Sequence, residues 1–194
     1  MNGREYPDEP GRQLPAPHRE FVDREQRSVR VLGVGPHVDR DRATEMLVEM
    51  YDAFDPADRA QGIPPTGESA IRDWLGRVLE EDCENVVAVA RESDAAVGHV
   101  TLVPDGDEHE LAIFVIQSHQ DAGIGTELLR TALGHGAARD VDRVWLTVER
   151  WNSQAVSLYQ KMGFETSDSG SFELEMCLRL GASENGVDQT ESTG

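Results

Sequence analysis

The chain has 194 residues, 38% of them hydrophobic and 6% aromatic, enough for one ordinary domain with a sizeable core. Its 37 acidic residues against 18 basic ones give a formal net charge of -19, a field that repels nucleic-acid phosphates and anionic membranes and argues against either as a partner. No apolar run approaches the ~20 residues that span a bilayer, and the polar start MNGREYPDEPGRQLPAPHRE has no signal-peptide core, so a cytoplasmic protein is expected.

The basic residues are equally informative. Lys161 is the single lysine; all the others are arginine. An acid-rich, lysine-poor chain suits a halophile, where concentrated salt screens self-repulsion; an acidic protein from a moderate environment is the alternative. Cys83 and Cys177 have neither metal-like nor redox-like spacing, so both read as reduced, small apolar residues, and no metal site is expected.

In chain order, residues 1–28 are polar and hold four prolines, which predicts a disordered arm. Residues 29–180 form the domain, and the tail 181–194, GASENGVDQTESTG, again reads as disordered. Ser28–Val34 is a first strand. A helix capped by Asp39 or Asp41 follows, carrying Ala43, Met46, Leu47, Met50, Tyr51 and Phe54 at helical spacing. Asp55–Gly67 contains Gly-Ile-Pro-Pro and reads as a loop; a second helix spans about Glu68–Glu81. Three strands come next, Asn85–Arg91, Ala95–Val103 and His109–Gln117, with turns at Ser93-Asp94 and Pro104–Asp107. A helix then runs to about Gly136, Arg143–Val148 is a strand, Asn152–Met162 a helix, Gly163-Phe164 opens another strand, and Ser171–Leu180 is the last. The order β-α-α-β-β-β-α-β-α-β-β predicts a mixed α/β sheet whose middle strands are joined by hairpins.

Two stretches carry chemistry. In the first, a strand runs into the loop Gln120-Asp121-Ala122-Gly123-Ile124-Gly125, which opens directly into a helix. Glycines allow a tight turn and close approach, and the helix start offers unpaired N–H groups and a positive dipole end, together an anion site that suits a pyrophosphate. In the second, Asn152-Ser153-Gln154-Ala155-Val156-Ser157-Leu158-Tyr159-Gln160-Lys161-Met162-Gly163-Phe164 follows the strand RVWLTVER. Taken alone it is an amphipathic helix with a half-buried tyrosine.

Together the two stretches resemble the GNAT superfamily of acetyl-CoA-dependent N-acetyltransferases. Gln120, Gly123 and Gly125 match the pattern Gln/Arg-x-x-Gly-x-Gly/Ala; Asn152, Ala155, Leu158, Tyr159, Gly163 and Phe164 match the second signature. The resemblance spans about Val29 to Leu180. It implies that the backbone of Gln120, Asp121, Ala122, Gly123, Ile124, Gly125 and Thr126 binds the pyrophosphate of acetyl-CoA. It implies that Phe114, Val115 and Ile116 pair with the pantetheine arm where their strand splays from RVWLTV. Asn152 would bond to the cofactor arm, an N–H near Val115 would stabilise the oxyanion, and Tyr159 would protonate the leaving thiolate.

For the base, Glu110 is the candidate, on a segment that resembles the Glu-bearing strand of protein-lysine acetylating members; an ordinary surface glutamate with a water chain as base is the alternative. His99 is the second choice if it faces the cleft, while His109 and His119 read as surface residues. Trp74 and Trp145 are expected in the core, as is Trp151, with the acceptor mouth as that residue's alternative. Asp121 and Ala122 depart from the arginine-bearing loops of many members, and an anion beside a pyrophosphate disfavours cofactor binding at low salt. An acidic cleft suits a cationic acceptor: a protein lysine, with a small amine or polyamine as the alternative. A non-catalytic acyl-CoA-binding sensor is the reading of another class. The final strands offer an edge for a homodimer.

Overall fold

A computed structural model describes residues 4–54, 64–80, 82–170 and 172–181. Eight strands form one sheet in the order β1-β2-β3-β4-β5-β6-β8-β7. They are β1 (Arg19–Val22), β2 (Ser28–Gly33), β3 (Glu84–Ala90), β4 (Ala96–Asp105), β5 (Glu108–Val115), β6 (Arg143–Glu149), β7 (Glu165–Ser169) and β8 (Glu173–Arg179). The helices are α1 (Arg40–Asp52), α2 (Glu68–Val78), α3 (Ile124–Ala137) and α4 (Ser153–Met162). The mixed α/β architecture is the one expected, with one strand more. Most of the segment expected as a loop between α1 and α2, and nearly all of the tail, lie outside the described residues.

Helices cover both faces of the sheet. Ile124, Leu128, Leu129 and Leu133 of α3, with Tyr159 and Met162 of α4, pack on Val86, Val100, Leu111, Val144 and Leu146. On the opposite face Leu47, Tyr51, Ile71 and Leu75 of α1 and α2 pack on Val87 and Val89. Neighbouring β3 residues thus serve different cores, which is why that strand reads as the continuous run VVAVA rather than alternating. Asp39 caps α1, accepting from Arg42 N at 2.9 Å, and α4 ends at Gly163, whose φ of 101° suits a residue without a side chain.

Every neighbouring pair is antiparallel except β5–β6, because α3 carries the chain back across the sheet between them. Their pairing is short: His109 lies opposite Val144 and Glu110 opposite Trp145. Beyond those rungs the strands separate, although β6 stays fully paired with β8 from Arg143 to Glu149.

The N-terminal arm is where the structure departs from expectation. Its residues 19–22 form β1, paired from Arg19↔Val31 to Val22↔Ser28. Upstream, Gly11 N donates to Arg179 O at 2.7 Å, and Leu14 packs on the main core. The Arg4 guanidinium lies 3.5 Å from the Trp145 ring centroid and pairs with Glu108 at 2.6 Å and Glu175 at 3.1 Å. Polar composition misleads here because the arm's polar groups face charged partners on the sheet. Trp145, expected in the core, is half-buried beneath this arginine.

Candidate active site

The site begins with backbone direction. Ile116 N donates to Val97 O of β4 at 3.1 Å. Successive strand residues alternate, so Val115 turns its N–H and C=O the other way, into the gap between β5 and β6. There Val115 O accepts from Gln120 Nε2 at 3.0 Å, leaving its amide directed at the gap. Phe114, Val115 and Ile116 are all half-buried along this edge.

The loop that follows is tightly wound. Asp121 has φ 58° and Gly123 φ 91°, the latter a conformation that strains any side chain. Ala122 and Ile124 are 2% and 0% exposed, so they anchor the loop through their side chains and offer only backbone outward. No side chain caps α3, whose first-turn amides, Ile124, Gly125 and Thr126 among them, have no partner within the helix. A Cβ built at Gly125 would stand 3.8 Å from Val115 Cγ2 and 3.9 Å from Leu158 Cδ2, so the loop, β5 and α4 converge there. These features, a left-handed glycine and a helix start with open amides, fit a pyrophosphate. The Asp121 carboxylate accepts from Gln154 Nε2 of α4, so it is turned toward that helix.

A residue of the arm completes this neighbourhood. Arg24, in the β1–β2 turn, donates from N to Ala122 O at 3.0 Å and from Nη1 to Asp121 O at 3.4 Å. In the sequence it falls within the stretch whose polarity and prolines predict a disordered arm. The signal that could have found it is the alternation on either side of DREQR, which marks a hairpin.

Tyr159 stands on α4, 8% exposed, its ring edge-on to Phe164 at 5.7 Å. Burial pushes its phenol up to about 12. Asn152 caps α4, its Oδ1 accepting from Ala155 N at 3.1 Å. Glu110 lies in the last rung before the gap and is exposed. Partial burial raises its carboxyl and Asp105 adds to the rise, against a smaller opposing pull from Arg4. Alternation puts Glu110 on the face of Phe114, which packs with α1 and α2, whereas Tyr159 belongs to the α3 face. The two lie on opposite faces of the sheet.

His99 does not face the cleft. It is 0% exposed and lies between Tyr51 and Asn85. Asn85 Nδ2 donates to Val78 O at 2.7 Å and Cys83 O at 3.2 Å, so its Oδ1 accepts from His99 Nε2 at 2.9 Å. Nδ1 is therefore the lone-pair nitrogen, and Tyr51 donates to it at 2.6 Å. Burial lowers the His99 pKa to about 3, and with its lone pair occupied the ring is no candidate for the base. His109 and His119 are half-buried, each with its pKa lowered mainly by burial. Trp151, expected in the core, is 64% exposed after β6. Cys177 is buried and Cys83 half-buried, both free.

Residues 45–164, more than half of the chain, match the sequence model of the Acetyltransferase (GNAT) family. The fold resembles that of the GNAT domain of S. lividans PAT, with a TM-score of 0.69, 17% identity, and coverage of 84% of this chain and 97% of that one. A spermidine N-acetyltransferase SpeG chimera from Vibrio cholerae and hSSAT superposes with a TM-score of 0.61 at 15% identity, covering 78% and 95% of the two chains. For a ribosomal-protein alanine N-acetyltransferase from Escherichia coli the values are 0.59, 17%, 83% and 99%.

Proposed function

Because this chain belongs to the GNAT family of acetyltransferases, which use acetyl-CoA as co-substrate, we propose that it moves the acetyl group to a primary amine by direct attack in a ternary complex. The observation that carries this reading is the gap between β5 and β6, with the Val115 amide aimed into it and the α3 start beside it.

In the proposed reaction the neutral amine attacks the thioester carbonyl carbon. A C–N bond forms, the C–S bond breaks, the nitrogen loses a proton to a base, and the thiolate gains one. The loop Gln120–Thr126 holds the pyrophosphate through backbone N–H groups, and Phe114, Val115 and Ile116 pair with the pantetheine arm. The Val115 N–H stabilises the oxyanion, the term usually worth most in acyl transfer. Asn152 keeps its Nδ2 for the cofactor arm while its Oδ1 caps α4.

Tyr159 is the proton donor. With its phenol near 12, full transfer to an ordinary thiolate near ~8.5 is uphill by roughly 5 kcal/mol. Its hydrogen bond therefore supports the sulfur while the C–S bond breaks, and the proton follows as negative charge collects there. Glu110 is the base, helped by a carboxyl held above its ordinary value.

A protein lysine is the first candidate acceptor and a small amine or polyamine the second; exposed acidic groups beside β5, Glu110 and Asp105 among them, favour a cation. We also read the chain as cytoplasmic and halophilic, on its acid excess and single lysine. Among the described residues no helix is long and apolar enough to cross a membrane.

The test is release of free CoA from acetyl-CoA in molar KCl, with lysine peptides, spermidine and small amines as acceptors. Tyr159→Phe is expected to lower kcat at least ~100-fold, the usual scale of a lost proton donor, with acetyl-CoA still bound. An unchanged kcat would remove Tyr159 from the chemistry. Wild-type protein that binds acetyl-CoA yet turns over no amine would be a sensor, and failure to bind even in molar salt would end the cofactor reading.

A further inference from the structure

The loop assigned to the pyrophosphate carries no cation of its own; its one charged side chain is Asp121. In a chain of net charge -19, an anionic ligand approaching bare amides meets a repulsive field. The structure places a cation at this point from elsewhere in the chain.

The β1–β2 turn is held by Asp23, which is 4% exposed. Its Oδ1 accepts from Glu25 N and Arg27 N, both at 2.9 Å, and its Oδ2 from Arg27 Nε at 2.7 Å. Burial alone would raise this carboxyl; the bonds from Arg27 and Glu25 outweigh that and hold it below its ordinary value. The turn then grips the β5–α3 loop at two places. Arg27 Nη1 donates to Ser118 O at 2.9 Å, and Arg24 N donates to Ala122 O at 3.0 Å. Arg24 is thus set over the loop by backbone contacts, with its side chain exposed. Its Nε lies 3.8 Å from where a Cβ of Gly123 would stand. The guanidinium has five N–H donors in a planar fork that matches phosphate oxygens, and among the described residues its side-chain hydrogen bond is one long one, to Asp121 O at 3.4 Å. Meanwhile Gln154 engages the Asp121 carboxylate from the α4 side.

We propose that Arg24, carried by the β1–β2 turn, is the residue that neutralises the pyrophosphate of the CoA moiety at the β5–α3 loop. This rests on the acetyl-CoA reading above. The arm strand β1 is then part of the cofactor site, and the loop lacks an arginine because one is supplied across the sheet edge.

Titration calorimetry with CoA tests this in wild type, Arg24→Gln and Arg24→Lys, at ~0.1 M and ~2 M KCl, a range over which screening changes from partial to nearly complete. Arg24→Gln is expected to weaken CoA at least tenfold at low salt, with the deficit shrinking several-fold at high salt, and Arg24→Lys, which restores the charge but not the planar fork, to recover part of the affinity. Dephospho-CoA, which keeps the pyrophosphate, should show the same loss. A change within twofold at low salt overturns the proposal. So does a deficit that salt leaves untouched, since that marks a brace for the loop rather than a charge for the ligand. A loss confined to CoA would move Arg24 to the 3′-phosphate and overturn the pyrophosphate assignment. Wild-type protein that binds neither ligand would instead overturn the parent reading, and this proposal with it.

Discussion

At the scale of single residues, the buried chain Tyr51–His99–Asn85 sets a cost on acid conditions. An imidazole in an unfolded chain titrates near ~6.5, whereas His99 in the fold titrates at about 3. The folded pKa is the lower one, so the stabilisation is complete above the unfolded value and is lost as pH falls toward the folded value. Unfolding free energy should drop by roughly 3 kcal/mol from this residue between pH 7 and pH 4. Urea melts at those two pH values will check it: His99→Gln should lose less stability on acidification than wild type, by about that amount. Equal losses would mean the ring is not held neutral. None of this is visible in the sequence, where residues 51, 85 and 99 belong to three different elements and only packing unites them.

Elements are unevenly legible in the sequence, and the reason is contact range. The glycine loop, the α1 cap at Asp39 and the αL glycine that ends α4 follow from local chemistry, and each is where its residues put it. The β5–β6 gap and the arm depend on partners far along the chain. Gly134 shows the difference: in sequence it is a weak helix position, yet it is the seat of the arm. A Cβ there would stand 2.3 Å from Pro15 O and 2.6 Å from Leu14 O, both backbone atoms that cannot swing aside. Gly134→Ala should gain up to about 1 kcal/mol of helix propensity but lift Leu14–Pro15 from α3. Trypsin should then cut after Arg12 and Arg19 several-fold faster, with the helical circular dichroism retained. Unchanged cleavage would show that the arm seats elsewhere.

For the whole molecule the governing quantity is charge. Surface ion pairs such as Arg72 with Glu45 at 2.7 Å and Glu68 at 2.9 Å stand in solvent, where they contribute little, and salt weakens them. Self-repulsion at a net charge of -19 acts over the entire surface, and salt weakens that too. The second term should win, so the melting temperature should climb from ~0.1 M to ~2 M KCl, a span that shortens the Debye length several-fold. A falling melting temperature would mean the ion pairs dominate. The charge itself was legible from composition, whereas its local relief was not: Arg4 and Arg24 both belong to a stretch whose polarity and prolines read as disorder.

The stacking of Arg4 on Trp145 also furnishes the protein with its own optical reporter. Trp74 is packed edge-on against Tyr51 and Phe114, and Trp151 stands in solvent. Among the described residues, Trp145 is the one indole with a guanidinium over its ring. Lifting the arm would strip that cation and admit water, changing the emission of this one fluorophore. Intrinsic fluorescence can therefore follow the docking of the first residues in real time, without any label attached to them.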